Sequence, residues 1–301
     1  MLRSARVARE GFLLFDKPKG WSSNRCLQEV KRRLQAVKGG HTGSLDPLAT
    51  GLLPLCFGHA TRVSQFLLEA DKTYEAVLRL GVETDTYDAE GRVTAECAVA
   101  VETADIERAL GEFRGTLQQV PPMYSAIKMD GAPLYRRARA GEEVARAPRT
   151  VHIRSYELMA RDADRLQVRV VCSKGTYIRS LAYDLGRRLG CGAHVEELRR
   201  TGVGGFAIAE AVTLEQVEQA CAADEVSALL RPADQALAHL PATELGQADV
   251  ARVRTGQRIA VSRLAEGWVR MYGTESGFLG LGWWADGVLH PKRVWSATAV
   301  G

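Results

Sequence analysis

The 301-residue chain has no C-x-x-C pair, no internal repeat, no low-complexity tract and no uninterrupted apolar run of membrane length. Its six cysteines (Cys26, Cys56, Cys97, Cys172, Cys191, Cys221) are scattered, which indicates neither a zinc site nor a disulfide framework. They read as small core residues of a protein kept in a reducing compartment. The opening Met1-Leu2-Arg3-Ser4-Ala5-Arg6 has no apolar segment of the kind a secretion signal needs. A cytoplasmic chain without a membrane span is expected. An excess of either charge is also lacking: 40 Lys and Arg against 36 Asp and Glu leave a formal net charge of +4. The sequence pI of about 8.7 falls short of the value above ~9 typical of a dedicated nucleic-acid module. Basic residues are instead concentrated locally: Arg136, Arg137, Arg139, Arg146, Arg149 and Arg154 crowd one stretch, and Arg187, Arg188, Arg199 and Arg200 another. Glu83, Asp85, Asp88 and Glu90 invite a metal reading, but their spacing fails the EF-hand pattern and Gly91 follows as a turn residue. A hairpin loop is expected there, and no metal site is assigned.

What is present is a composition of 46% hydrophobic and 25% charged residues, ordinary for a globular chain. Gly11–Phe15 is a short apolar run ended by Asp16-Lys17-Pro18-Lys19-Gly20, a buried strand entering a turn. Ser22-Ser23-Asn24 offers N-caps for a helix with Leu27, Val30 and Leu34 on one face. A helix is predicted over Ala60–Leu68. Thr73–Leu80 alternates Tyr74, Ala76, Leu78 and Leu80, the period of a strand with one buried face. Ile106, Leu110 and Phe113 predict a further helix. Val151 and Ile153, then Leu166, Val168, Val170 and Cys172, predict two more strands. From Tyr177 to Leu189 the stripe Ile178, Leu181, Ala182, Leu185, Leu189 is helical. Strands and helices mix without a βαβ rhythm, so an α+β fold on a mixed, mostly antiparallel sheet is expected. Beyond about Leu240 four of the five tryptophans fall among short apolar pieces broken by glycines. That change of texture predicts a small separate β domain joined near Pro241-Ala242-Thr243, with domains at 1–240 and 241–301.

Asp46 is the most informative residue. It lies in Gly39-Gly40-His41-Thr42-Gly43-Ser44-Leu45-Asp46-Pro47-Leu48-Ala49-Thr50-Gly51-Leu52-Leu53-Pro54, with no other acidic residue from 36 to 56. The glycines let the backbone approach a ligand closely, and Pro47 biases Asp46 toward an extended conformation. A lone aspartate in such a loop is either a turn former or a nucleophile or electrostatic stabiliser. Paired-carboxylate hydrolysis needs a second acid. A second segment, Ser173-Lys174-Gly175-Thr176-Tyr177-Ile178-Arg179-Ser180-Leu181-Ala182, sets Tyr177 and Arg179 at the opening of the amphipathic helix. An arginine there reaches a carboxylate across a cleft, favouring its ionised form and fixing its rotamer, or else pairs locally with Asp184.

These segments together resemble the TruB-type tRNA pseudouridine synthases: GHTGSLDPLATGLLPL is similar to their catalytic loop and GTYIRSL to their arginine motif. Three further segments also match: Lys72-Thr73-Tyr74-Glu75-Ala76, Pro121-Pro122-Met123-Tyr124-Ser125-Ala126-Ile127-Lys128, and Ala193-His194-Val195-Glu196-Glu197-Leu198-Arg199-Arg200-Thr201-Gly202 through Phe206. Ser44 departs from the threonine usual there but keeps the hydroxyl. The resemblance implies isomerisation of uridine 55 in the tRNA T loop, with no cofactor, no guide RNA and no metal, by a monomer. It implies that Asp46 is the nucleophile, Arg179 its partner, and Tyr74 the residue against the uridine or in proton removal. Tyr177 and Leu198 would line the base pocket, His41 would assist flipping, and Arg199 and Arg200 would face phosphate. Lys17, in Lys17-Pro18-Lys19-Gly20-Trp21, would buttress the catalytic loop at the substrate site. Residues from about 128 to 150 would form an RNA-clasping insertion, and the C-terminal module a PUA-like β-barrel. Two rival readings are a non-catalytic RNA-binding module and a hydrolytic N-glycosidase using the same acid.

Overall fold

The computed structural model describes residues 8–125, 127–129, 132–139, 141–142, 144–262 and 265–295. Ala126 of the Pro121–Lys128 run and Gly131 of the basic insertion lie outside the described residues, as do the side chains of Arg136 and Arg139 and the opening Met1 to Arg6.

β1 (Gly11–Lys17) is apolar on both faces and almost wholly buried, and Pro18 closes it. The Ser22 hydroxyl caps α1 (Ser23–Arg33) by accepting from the Arg25 amide. β2 (Gly39–His41) and β3 (Thr50–Phe57) flank the Asp46 loop. The single helix predicted over Ala60–Leu68 is a 3-10 turn (Gly58–Arg62) followed by α2 (Ser64–Glu69). The break falls at Val63, whose φ of −105° and ψ of 1° are not helical.

β4 (Lys72–Leu80) buries alternate residues, as its period-two pattern requires. β5 (Val82–Thr84) and β6 (Val93–Glu96) form a hairpin around the acidic turn, followed by α3 (Thr103–Glu112) and β7 (Gly115–Gln119). The insertion carries β8 (Lys128–Met129), β9 (Ala132–Pro133) and α4 (Leu134–Arg139). β10 (Arg149–Asp162) and β11 (Arg165–Cys172) lead to α5 (Ile178–Leu189), which ends on Gly190 at φ +77°, a left-handed cap that suits glycine. β12 (Ala193–Val203), β13 (Phe206–Ala207), α6 (Leu214–Ala222) and α7 (Val226–Leu229) complete this part.

Among the described residues one nine-stranded sheet runs β1-β3-β12-β4-β11-β10-β7, with β2 on β3 and β13 on β12. Only the β3–β12 pair is parallel, so the sheet is mixed and mostly antiparallel. One face of its centre packs on α3 and α5 through Leu78, Val168, Ile106 and Leu181. α1 covers β1 and β3 through Leu27, Val30, Phe15 and Leu53.

The C-terminal part holds β14 (Ala242–Leu245), α8 (Gln247–Arg254), β15 (Ile259–Ala260), β16 (Gly267–Gly273), β17 (Gly277–Ala285) and β18 (Val288–Val294). Its strands form a second sheet in the order β14-β16-β17-β18-β15, the PUA-like module. It has its own core around Val253, Val269, Met271 and Leu289. A shared apolar cluster joins Leu281, Phe278 and Trp295 to Phe12, Leu14 and Leu52 of the large sheet. Arg293 lies over the ring of Phe66 in α2 (5.6 Å), a cation–π contact across the same seam, and over Trp268 of its own module (5.4 Å).

The parallel β3–β12 contact is possible only because position 51 is glycine. Gly51 sits at φ +101°, and a Cβ there would lie 2.3 Å from the Arg200 carbonyl oxygen. Gly51→Ala is expected to lower urea-measured stability by about 3 kcal/mol or more, because backbone blocks the added atom. Gly20→Ala, at φ +80° with nothing within 4 Å of the added atom, is expected to cost only about 1 kcal/mol.

Candidate active site

The loop between β2 and β3 is braced at almost every residue around Asp46. The Ser23 hydroxyl accepts from the Leu45 amide (2.8 Å), and Gly20 donates its amide to the Pro47 carbonyl (2.8 Å). Lys17, fully buried at the end of β1, extends its ammonium to the carbonyls of Ala49 (2.6 Å), Pro18 (3.0 Å) and Pro47 (3.4 Å). From the other side Arg200 donates to the carbonyls of Leu52 (2.8 Å) and Gly43 (3.1 Å). Leu45, Leu48 and Ala49 are buried in the central core. Asp46 is left as the loop's one projecting acid, with its side chain 40% exposed.

Arg179, in the first turn of α5, meets Asp46 with Nη2 2.8 Å from Oδ2. The same guanidinium lies 3.4 Å from Oδ2 of Asp88 through Nη1. It also donates to the carbonyls of Thr86 (3.0 Å) and Tyr124 (2.8 Å). The local alternative, a pair with Asp184, does not form. Asp88 is 4% exposed, and its other oxygen accepts from the Thr86 hydroxyl (2.6 Å) and the Glu90 amide (3.1 Å). It stood in the acidic run read as a plain hairpin loop; nothing in that run signals a partner 91 positions on, because the contact is made by the β5–β6 turn folding over α5.

Beside the ion pair opens a cleft of about 900 Å³. Asp46, Arg179, Tyr74, Tyr177, Leu198 and Arg200 all line it. Tyr74 on β4 stands directly opposite Arg200 of β12, and Leu198 lies two residues before Arg200 on the same face. Burial raises the Tyr74 hydroxyl above its ordinary pKa, and the nearby Arg200 charge opposes the shift. Tyr177 is raised by burial too, with the Asp46 charge adding to the effect. Its backbone is fixed by Gln119, whose side-chain oxygen accepts from the Tyr177 amide (2.8 Å) and whose nitrogen donates to its carbonyl (3.0 Å).

Three expected site residues lie outside this cleft lining. His41 on β2 is half-buried, its Nδ1 has no hydrogen-bond partner, and burial followed by the nearby Arg200 charge lowers its pKa. Lys17 has no exposed surface, and its bonds to the carbonyls of Pro18, Pro47 and Ala49 make it a brace of the loop. Arg199 points to the β1 end, where its guanidinium pairs with Asp16 (2.7 Å) and the Thr50 hydroxyl (3.2 Å). The expectation that Arg200 faces phosphate fails as well: at 1% exposure its guanidinium is enclosed by the loop carbonyls it holds. Paired arginines beside each other on a strand point to opposite faces: Arg200 is enclosed, while the Arg199 side chain stays 39% exposed beside Asp16.

Lys72 is a cleft residue that the motif contained but to which no role was given. Its ammonium donates to the carbonyls of Leu68 (2.5 Å), Ala70 (2.6 Å) and Leu67 (3.3 Å). Desolvation lowers both Lys17 and Lys72 to about 8, which still leaves them cationic at pH 7. Among the described residues no group of three or more His, Cys, Asp or Glu side chains is arranged to hold a metal ion.

A solvent-reached carboxylate, a buried arginine fixing it and two tyrosines lining the same cleft suit attack on a planar, stackable ring substrate. Comparison with known proteins agrees. Residues 31–178 match the N-terminal domain of the TruB family pseudouridylate synthases, 179–238 the tRNA pseudouridylate synthase B C-terminal domain, and 241–295 the pseudouridine synthase II TruB C-terminal domain. The tRNA pseudouridine synthase B of Ralstonia nicotianae is 54% identical over 294 residues, covering 94% of this chain and 93% of that protein. That of Aromatoleum aromaticum is 52% identical over 298 residues, covering 99% and 96%. A solved H/ACA RNP bound to a substrate RNA containing 2′-deoxyuridine is similar with a TM-score of 0.74 at 26% identity, over 96% of this chain and 86% of that one. An archaeal box H/ACA sRNP Nop10–Cbf5 complex gives 0.72 at 25%, over 95% and 86%. Fold and domain matches define a pseudouridine synthase, an isomerase. Within that class, the chain belongs to the TruB family.

Removing the arginine and removing the exposed acid should differ in cost. Arg179→Met leaves Asp88 buried without its cation and is expected to lower denaturant-measured stability by about 3–5 kcal/mol. Asp46→Asn, at a 40% exposed side chain, is expected to stay within about 1 kcal/mol. Equal losses for the two would contradict the shared-guanidinium arrangement.

Proposed function

We propose that this chain isomerises uridine 55 in the T loop of tRNA to pseudouridine, acting alone as a monomer, without a guide RNA and in the cytoplasm. The observation that carries the reading is the 2.8 Å contact of buried Arg179 with the exposed Asp46 carboxylate inside the cleft. The names of the relatives, tRNA pseudouridine synthase B, support tRNA as the substrate. Among the described residues no helix is long and apolar enough to cross a membrane.

The uridine leaves the T-loop stack and enters the cleft. Stacking on the Tyr74 ring, with Tyr177 and Leu198 around the base, replaces the neighbours lost on flipping. His41 assists that entry from the edge of β2. Asp46 attacks either the ribose C1′ or the base. The C1′–N1 bond breaks, the base turns, C5 bonds to C1′, and the bond to Asp46 breaks, which returns the free carboxylate. C5 then loses its proton and N1 gains one, so the product has the mass of the substrate and no oxidant or cofactor enters the balance. Arg179 fixes the attacking oxygen throughout, while Lys17 and Arg200 hold the loop that carries it. Residues 1–240 form the catalytic unit in this reading, with the insertion at about 128–150 clasping RNA. Residues 241–301 form an RNA-binding module whose contacts to phosphate add salt-dependent affinity.

An N-glycosidase using the same acid would release free uracil; an isomerase leaves a mass-neutral change in the tRNA. Incubating the purified protein with an unmodified tRNA transcript and mapping pseudouridine is expected to show conversion at position 55. Asp46→Asn is expected to reduce that conversion about 10⁴-fold or more while leaving tRNA affinity within about threefold, because the exposed carboxylate contributes little to phosphate binding. Parental turnover by Asp46→Asn, or free uracil among the products, would refute the assignment.

A further inference from the structure

Among the described residues five cations line the cleft: Lys72, Arg149, Lys174, Arg179 and Arg200. Four of them already have partners within the protein. Lys72 and Arg200 hold backbone carbonyls, and Arg179 stands between Asp46 and Asp88. Lys174 pairs with Glu69 at 3.2 Å. Arg149 is exposed, and among the described residues no carboxylate or carbonyl takes up its guanidinium.

The large sheet sets its place. Arg149 opens β10, where its backbone pairs with Gln119 of β7. The Gln119 side chain in turn clasps the Tyr177 backbone at both amide and carbonyl. Val151, two residues on and so on the same face of β10, is buried and also lines the cleft. Buried Val151 belongs to the wall of the cleft, and exposed Arg149 to its mouth. A nucleotide turned out of its stack stays joined to its neighbours by two phosphates. Bringing C1′ or the base to Asp46 draws those phosphates to the mouth, toward a carboxylate of the same sign. A cation without a partner offsets that repulsion, whereas one already bonded must first give up its own contact.

We propose that Arg149 binds one of the two phosphates that flank the everted uridine. A guanidinium suits this ligand, because its planar fork meets two phosphate oxygens at once. The role expected of Arg200, which is enclosed, falls to a residue of another strand. This inference rests on the reading of the Asp46 cleft as the uridine site. It narrows the RNA contact from an insertion to one side chain and one linkage.

The test uses the full-length protein and measures Kd for a T stem-loop RNA in which the linkage on the 5′ or the 3′ side of nucleotide 55 is a neutral methylphosphonate. Each neutral linkage and its charged control carry the same 2′-O-methyl sugar, and a third neutral linkage sits in the stem as a reference. Arg149→Met is expected to weaken binding of the charged RNA about tenfold and to lower the salt slope by about one. Neutralising one flanking linkage should cost the parental protein about as much, but cost Arg149→Met less than about threefold, since both changes break one contact. Arg149→Lys should keep part of the affinity, as a point charge without the fork. A parental Kd for Arg149→Met overturns the proposal. Additive losses at both flanking linkages overturn it too, as does coupling to the stem linkage as strong as to either flanking one. Pseudouridine formation is measured apart, on an unmodified transcript. Its absence from the parental protein removes the isomerase reading, while the Kd coupling still decides whether Arg149 holds a phosphate.

Discussion

The guanidinium of Arg179 stands between Asp46 and Asp88, 2.8 Å from one and 3.4 Å from the other. One cation serves two acids of different character: Asp88 is enclosed and hydrogen-bonded, Asp46 is open to the cleft. The enclosed pair is what makes the arginine immobile, since a buried carboxylate without its partner would be costly. An immobile arginine in turn gives the exposed carboxylate a defined rotamer through a charge-assisted bond. The nucleophile candidate is thus ordered by a contact it does not itself bury.

The second constraint is the loop that carries Asp46. Its backbone is held by groups from β1, α1 and β12, and two of these are cations with no exposed charge, Lys17 and Arg200. Buried cations bonded to carbonyls act here as crosslinks between strands and loop. Their arrangement depends on the large sheet: β3 and β12 meet in parallel at Gly51, which brings Arg200 under the loop, and β4 brings Tyr74 opposite it. Tertiary register, more than local propensity, assembles the cleft.

Much of this was legible in the sequence, and the reasons are specific. Alternation in Thr73–Leu80 identified the strand and turned Tyr74 to the buried face. The stripe from Ile178 to Leu189 identified α5 and put Arg179 at its start. The glycine- and proline-marked run around Asp46 identified the loop, and resemblance joined it to Arg179 across more than a hundred residues. What was misread concerns charge. Arg200 has the composition of a phosphate grip, yet it is enclosed, because burial is a property of packing that a residue type does not reveal. Asp88 and Tyr87 were hidden for a related reason: their partners, Arg179 and Tyr183, both come from α5, and no spacing rule connects a hairpin turn to that helix.

The central claim, that Asp46 is the group that meets an everted uridine, is tested most directly by a crystal structure of the Asp46→Asn protein bound to a T stem-loop RNA. The expected result is a uridine out of its stack, its base against Tyr74, with C1′ or the base about 3–3.5 Å from the side chain at position 46. A uridine still stacked within its loop, or bound away from the Asp46–Arg179 cleft, would contradict the account.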